Sequence, residues 1–252
     1  EGVVINSPST SFVEHTDVRY ANRGVRCQSA QTSIRSIRVY RCVWGMWLSR
    51  LMGNLENAVI SSCSNDGIYL NGAGTFDIHH ASVANCTGYG ISVGGGSSYG
   101  GTIRNSVIWN NTAGNLNGIP VAQILSSCGA YAGQNNNLNI DPQFADQENL
   151  TVAQSSPLIN AGDLLTGIQV GTDVDNGNRV SDWDYSGNLR PDIGAHELEG
   201  SRLQWDVSIP KLGDTITFQV LPANQTQHAG LVVIGLSLGW DRATAFIPSW
   251  GV

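Results

Sequence analysis

The stretch "SSCSNDGIYL" (residues 61–70) decides the fold, because its plan recurs on both sides of it. Upstream the chain reads "YRCVWGMWL" (residues 40–48), and downstream it reads "ANCTGYGISV" (residues 84–93). Each copy places a cysteine and then a glycine before an apolar strand, and the copies lie about 22 residues apart. Repetition at this period, with short alternating strands and no helical spacing, is typical of a β-solenoid.

The repeat extends beyond these copies as two series of equivalent positions. One series consists of Gly24, Gly45, Gly67, Gly90 and Gly114. The other, slightly earlier in each copy, consists of Asn22, Cys42, Cys63, Cys86 and Asn110. One copy cannot bury its own apolar face, whereas stacked copies share a core and align equivalent residues in columns about 4.8 Å apart. We therefore predict an all-β parallel β-helix, with the glycines at turns or at close backbone approaches.

The three cysteines of the repeat are expected to form one internal column. Cys42, Cys63 and Cys86 fill the same slot in successive coils, so they should stack inside as small apolar groups. A disulfide between neighbouring coils is a weaker alternative. Metal binding is weaker still, because the paired C-x-x-C spacing of a zinc site is missing.

From residue 138 the chain stops repeating and reads "LNIDPQFADQENLTVAQSSPLINAGD", followed after a loop by "DWDYSGNLRPDIGAHELEG" (residues 182–200). These segments resemble the closing segment of extracellular right-handed parallel β-helix repeat proteins of bacterial surfaces, whose pattern runs DPxF, SPxIDAG, DxDGNxR and DIGAxE. Asn160 stands where aspartate is commoner, and Tyr185-Ser186 inserts two residues. The resemblance implies a right-handed β-helix closed at its C-terminal end and an extracellular or cell-surface location, but no particular activity.

Three regions follow from the repeat and its end. Residues 1–137 are predicted to form the coils, residues 138–200 the closing segment, and residues 201–252 a small β-sandwich-like domain of four strands. The longest apolar run, residues 229–240, is too short for a membrane span. The start of the chain lacks the layout of a signal peptide, so we expect a processed product.

Charge is unevenly distributed along the chain. The net charge is −7, with only 13 basic residues, which argues against a general nucleic-acid binder. Basic residues nevertheless dominate the first 50 positions, where a surface for assembly or for a polyanion is predicted at Arg19, Arg23, Arg26, Arg35, Arg38 and Arg41.

Two further patterns suggest chemistry. Asp182 and Asp184 begin a loop like that of a calcium site, and Asp192 could replace the missing acidic group at its far end. Calcium is therefore a candidate ligand, the alternative being aspartates that cap turns; no cofactor is required. His79 and His80 are adjacent on a predicted strand and should point to opposite faces, with a solvated surface as the expected setting.

These patterns favour a non-catalytic extracellular structural protein that assembles with itself head to tail into a filament, or forms a stalk or adhesin. One alternative is a polysaccharide lyase or hydrolase on acidic polysaccharide, with the arginines lining its groove. Few carboxylates occur in the coils and none repeats in one slot, so an enzyme is disfavoured. Another alternative is a carbohydrate-binding module using Trp44, Trp47 and Trp109, provided that these side chains face outward.

Overall fold

The computed structural model describes most of the chain. The described residues are 1–6, 10–28, 31–49, 52–72, 74–94, 96, 98–129, 133–181 and 189–198, with the backbone of four short strands between 202 and 246. They form two compact units, Glu1–Leu198 and Glu199–Val252. Each unit is described by itself below.

Two parallel sheets wind together as a β-solenoid of about five turns, which confirms the predicted parallel β-helix. The first sheet contains β1 (Val3–Ile5), β3 (Arg23–Cys27), β5 (Trp44–Ser49), β7 (Ile68–Asn71), β9 (Tyr89–Gly94) and β12 (Gly114–Asn117). The second contains β2 (Ser11–Arg19), β4 (Gln31–Tyr40), β6 (Met52–Ser61), β8 (Phe76–Ala84), β10 (Ile103–Arg104), β11 (Val107–Trp109) and β13 (Ile124–Leu125). Strands alternate between the sheets along the chain until β10 and β11, two short pieces that both pair with β8.

The core consists of columns of like residues, because each strand pairs in register with the strand one coil away. In the first sheet Val25, Met46, Ile68 and Ile91 pair in succession, and all four are fully buried. The second sheet opposes them with a column of branched residues, Val18, Val39, Ile60, Val83 and Ile108. One continuous cluster joins the two sides and excludes water from the interior.

Close approach of the two sheets explains the repeated glycines. Gly24, Gly45, Gly67 and Gly90 occupy paired positions, and none of them has a left-handed backbone. A β-carbon at Gly45 would lie 2.3 Å from the Gly67 carbonyl oxygen and 2.7 Å from Ile60 Cγ2. The column is therefore selected for space rather than for turn conformation. The series was wrong at its end, since Leu116 pairs with Ile91 and so places Asn115, not Gly114, opposite Gly90.

Left-handed residues bend every coil at two fixed places. One column of positive φ contains His15, Ser36, Asn57, His80, Asn105 and Ser126, and the other contains Tyr20, Arg41, Ser62, Asn85 and Asn110. Asparagine tolerates this conformation better than most residues. Each bend interrupts the two-residue alternation, so that Ser36 and its neighbour Ile37 are both buried.

The segment that follows the coils lies along the outside of the second sheet. It contains one helix, α1 (Leu164–Val170), whose first turn is capped by the Asp163 carboxylate accepting from the Thr166 amide at 2.9 Å. Leu150, Val174 and Ala195 pack on the outward side chains of Tyr40, Val59 and Ala84, which belong to three different coils. The described part of the closing segment (139–181 and 189–198) therefore covers a lateral face of the solenoid, and its closure of the C-terminal end stays a prediction.

The second compact unit contains two antiparallel strand pairs in its described part. β14 (Arg202–Trp205) pairs with β15 (Phe218–Leu221), and β16 (Gly235–Leu238) pairs with β17 (Ala243–Phe246). The sandwich-like arrangement of this unit stays a prediction. In the described part of the chain no helix has the length and apolar character needed to cross a membrane.

We expect Gly45→Ala to lower the free energy of unfolding by about 1–3 kcal/mol, because the added methyl group meets a carbonyl oxygen that cannot move away. The measurement is urea unfolding of the full chain followed by circular dichroism. Gly100→Ala is the control, since its nearest neighbour would be 3.1 Å away and the residue is exposed. Equal losses in the two variants would contradict the role of the column.

Candidate functional site

An aromatic patch lies on the outer side of the first sheet. Trp44 and Trp47 project from β5, and Tyr69 projects from β7 in register with Trp47. All three side chains are half-buried, whereas their strand neighbours Met46 and Ile68 point into the core. Alternation after the buried Met46 and Ile68 places Trp47 and Tyr69 outside on adjacent coils. Trp44 lies on the same side because the two residues after it, Gly45 and Met46, are both buried and interrupt the alternation.

The three rings contact one another closely. The ring centroids of Trp47 and Tyr69 are 4.4 Å apart, and those of Trp44 and Trp47 are 4.9 Å apart with an edge-on geometry. The Arg23 guanidinium lies 4.7 Å from the centre of the Trp47 ring. We call Arg23, Arg26, Trp44, Trp47 and Tyr69 together the aromatic face.

Polar groups border the aromatic face on both sides. Ser49 and Asn71 form the next outward column beyond Trp47 and Tyr69, and the Ser49 hydroxyl has no hydrogen-bond partner. On the other side the Asp66 carboxylate accepts from the Tyr89 amide at 2.7 Å and from the Ser92 hydroxyl. The patch therefore combines apolar ring surface with hydroxyl and amide groups.

Trp109, the third tryptophan predicted for ligand contact, lies elsewhere. Its half-buried ring packs, as Phe144 does, against the two buried clusters that join the second sheet to the closing segment. Trp109 thus points outward, as its prediction required, but on the face that the closing segment covers. Trp109 therefore stabilises the attachment of that segment.

Most of the predicted arginine surface is engaged within the chain. Arg19 and Arg41 both pair with Glu148, at 2.8 and 2.9 Å, and Arg38 pairs with Asp175. These acidic groups belong to the closing segment, so the unequal charge of the two regions attaches one to the other.

The remaining three predicted arginines lie nearer to the coils themselves. Arg35 pairs with Glu56 of the next coil at 2.8 Å, and Arg23 pairs with Glu1 at the same distance. Arg26 forms no ion pair among the described residues.

The cysteine column has the expected place but different neighbours at its ends. Cys42, Cys63 and Cys86 are each 1% exposed, and backbone hydrogen bonds join equivalent positions from coil to coil. Ala21 and Asn111 complete the column in place of Asn22 and Asn110. The amide of the residue after each member donates to the carbonyl of the member one coil earlier, from Val43 to Ala21 at one end and from Thr112 to Cys86 at the other. All five cysteines are free thiols. Contact with Cys86 and burial raise the pKa of Cys63, and burial raises that of Cys42, which keeps both thiols protonated.

A buried arginine joins the closing segment to the solenoid. The Arg179 side chain is fully buried, and its guanidinium donates to the Asn57 side-chain oxygen at 2.6 Å, to the Ala195 carbonyl at 2.6 Å and to the Gly194 carbonyl at 3.2 Å. Asn57 is a left-handed bend residue of β6. One side chain therefore connects a coil to both halves of the closing segment.

Buried carboxyl groups surround this arginine. Burial raises the pKa of Asp192 to about 6 and the pKa of Glu197 to about 9. The Glu197 carboxyl lies 3.8 Å from Arg179, and Glu197 also accepts from the Asp192 amide at 2.9 Å. Perturbed carboxyl pairs often mark active sites, but here both groups are sealed under protein and serve to hold the DIGAHE turn.

His80 is part of the same interface, where a solvated surface was expected. It is fully buried, and its Nε2 atom lies 3.2 Å from the Asn105 side-chain nitrogen. Burial lowers the pKa of His80, so the ring is neutral. The prediction was wrong because the left-handed bend at His80 interrupts the strand alternation and the closing segment then covers it.

Of the three predicted calcium ligands, the structure describes only Asp192. Asp182 and Asp184 lie outside the described residues. Both carboxylate oxygens of Asp192 accept backbone amides, from Asn160 and Leu198 at 2.8 Å each, and the residue is 1% exposed. Asp192 therefore caps a turn and does not fit a calcium ligand.

Asp173, Asp175 and His196 are close enough to hold a cation, but protein groups already occupy them. Asp175 pairs with Arg38 and with the His196 ring, while Asp173 accepts three backbone amides. A cation would have to displace the arginine. We interpret this group as an attachment point of the closing segment.

Comparison of the chain with protein families, with curated proteins and with solved structures finds no match. The resemblance of the closing segment to surface β-helix proteins therefore stays a prediction. In the structure, Arg179 and Glu197 make the most specific contacts of the closing segment. The DIGAxE motif is the sequence signal by which Glu197 could have been found.

We expect Arg179→Met to lower the free energy of unfolding by about 3–5 kcal/mol, because it leaves buried polar groups without their partner. Urea unfolding of the full chain measures this. Arg104→Met is the control: it removes the same charge from β10, where no ion pair forms in the described structure, and should cost less than about 0.5 kcal/mol. A small loss in both variants would show that Arg179 does not secure the segment.

We expect the protein to lose stability as the pH rises from 7 to 9, because folded Glu197 keeps a proton that the unfolded chain has released. Because its pKa is raised in the folded state, Glu197 stabilises the fold fully below the pKa of the unfolded chain, near 4.5. This contribution is lost as the pH rises to the folded pKa of about 9. Glu197→Gln keeps the neutral form. Between pH 7 and 9 the unfolding free energy of the parent chain should therefore fall by at least about 1 kcal/mol more than that of the Glu197→Gln variant. Parallel pH profiles would contradict a protonated Glu197.

Proposed function

We propose that the chain is a non-catalytic extracellular scaffold of the adhesin type that binds carbohydrate on its aromatic face. The supporting observation is the outward cluster of Trp44, Trp47 and Tyr69 on adjacent coils of one sheet. The closing segment covers a different sheet, so it leaves these rings accessible.

The chemistry of the cluster suits a sugar polymer. Aromatic rings carry a negative face that attracts the weakly positive C–H groups of a pyranose, and a polar tip such as the Tyr69 hydroxyl can pair with sugar hydroxyls. Asn71 adds a hydrogen-bonding group in the neighbouring column. Because coils repeat about every 4.8 Å, an extended chain aligned with the solenoid axis would meet equivalent groups at each step.

Two carboxyl groups of the coils and two of the closing segment are engaged or buried, which supports binding without catalysis. Glycoside hydrolysis needs two carboxyl groups that reach the same bond from solvent. Glu56 is occupied by Arg35 and Asn54, and Asp66 by Tyr89 and Ser92. Asp192 and Glu197, the pair with raised pKa values, are buried within the closing segment. Lyase or hydrolase activity stays an alternative that an assay of uronate polymers would detect.

Head-to-tail assembly remains a second candidate, favoured by the outer edge of the first coil. Val4, Phe12 and Tyr20 are 51%, 71% and 70% exposed there, and the far edge of β2 pairs with no other described strand. The charge argument for assembly is weaker than expected, because most of the arginines are paired within the chain. Negative-stain images over a range of salt concentrations would test it: monodisperse particles throughout would count against a filament.

We expect Trp44→Ala and Trp47→Ala each to weaken glycan binding about tenfold, since stacking on one aromatic ring is worth on the order of 1 kcal/mol. Isothermal titration with soluble oligosaccharides measures the affinity, and a glycan array selects them. Phe12→Ala is the matched control, because Phe12 is an exposed aromatic residue outside the aromatic face. If the array gives no binding to the folded parent chain, the proposed function is wrong.

A further inference from the structure

We infer that the glycan bound on the aromatic face is anionic, carrying carboxylate or sulfate groups that Arg26 and Arg23 recognise. This inference rests on the proposed function and specifies its ligand. It depends on three observations: the position of Arg26, its missing partner, and the incomplete bonding of Arg23.

Arg26 lies in the same outward column as the rings. In the register of the first sheet, Arg26 precedes Trp47, which precedes Tyr69, so one coil step separates each from the next. Arg23 stands beside Trp44 in the adjacent column and covers part of the Trp47 ring. A ligand lying along the axis over the rings would therefore reach both guanidinium groups.

The charge of Arg26 is not neutralised by the described part of the chain. The other five arginines of the predicted basic surface each contact a carboxylate within 2.9 Å, whereas Arg26 contacts none. Its side chain is only half-exposed, which limits the screening that a fully solvated cation enjoys. A cation held beside apolar rings without a counter-ion is a favourable place for an anionic group.

Arg23 adds capacity for a second contact. One of its terminal nitrogens pairs with Glu1, but its Nε atom is buried and has no acceptor. The other terminal nitrogen of Arg23 forms no ion pair among the described residues, and guanidinium groups bind planar carboxylates through two parallel hydrogen bonds. Glu1 is exposed by 41% and can move aside, so a ligand carboxylate could take its place.

The Asp66 carboxylate, a second negative charge near the patch besides Glu1, is already bonded within the chain. Asp66 is 7% exposed, and the Tyr89 amide and the Ser92 hydroxyl bind its two oxygens. It lies one coil beyond Trp44 and two beyond Arg23, a separation of about 10 Å, at which physiological salt screens most of its repulsion. The end of the patch that contains the arginines therefore favours anions.

The experiment compares three oligosaccharides of similar length by isothermal titration with the full chain: a hexuronate oligomer, a sulfated oligomer and a neutral hexose oligomer. We expect at least one anionic oligomer to bind about tenfold more tightly than the neutral one, and the difference to shrink as salt is added. Arg26→Gln should weaken the anionic complex about tenfold and thereby remove most of its advantage over the neutral one. Arg104→Gln, the control, removes the same charge from the second sheet and should change neither.

The outcomes separate the two proposals. Equal binding of neutral and anionic oligomers, unaffected by Arg26→Gln but weakened by Trp47→Ala, overturns the anion preference and leaves the carbohydrate-binding function standing. Binding of none of the three by the folded parent chain overturns both. Preference for the uronate or for the sulfate identifies which oxyanion the arginines select.

Discussion

The close contact between the glycine column of one sheet and the branched column of the other is the constraint on which the structure depends. A coil can hydrogen-bond to the next only if both of its sheets keep the same register, and the glycines let the chain pass at van der Waals distance from Val39, Ile60 and Val83. A side chain at any of these positions would separate the sheets or shift one coil against the next. The alignment of the other columns therefore depends on the glycine column.

The same alignment creates the outer surfaces. A strand that buries Met46 must expose Trp47, and in-register pairing then places Tyr69 beside it. Side chains that are distant in sequence by a full coil become neighbours by one strand spacing. A solenoid can therefore build a ladder of similar groups from single residues in successive repeats, which is a simple way to match a polymer with its own regular repeat.

The sequence predicted what the repeat determines and failed where other parts of the chain intervene. The parallel coils and the buried position of Cys42, Cys63 and Cys86 follow from spacing alone. The glycine series was misplaced by one residue at its last member and the cysteine series at both of its ends. The coil after Gly90 is longer by two residues than the coil before it, which places Asn115 and Asn111 where Gly114 and Asn110 were predicted, and Ala21 takes the place of Asn22. The fate of His80 and Trp109 could not be read from the repeat, since both depend on which face the closing segment covers. The pairing of Arg38 with Asp175 could not be read from the repeat either, because the two residues are 137 positions apart in the chain.

The closing segment attaches to one lateral face of the solenoid, and the binding role that we propose falls on the other sheet. Beneath the closing segment, buried ionisable groups have displaced pKa values, yet each is bonded to protein and shielded from any polymer. Both sides also hold buried polar atoms without a partner among the described residues, at Ser49 and Arg23 beside the rings and at His80, Asn160 and Arg179 in and under the closing segment. Displaced titration and unmet hydrogen bonds would therefore have directed attention to the sealed side as well. Ring surface that the described closing segment leaves uncovered is the better guide here, because a ligand can bind only where the chain has not already provided the partner.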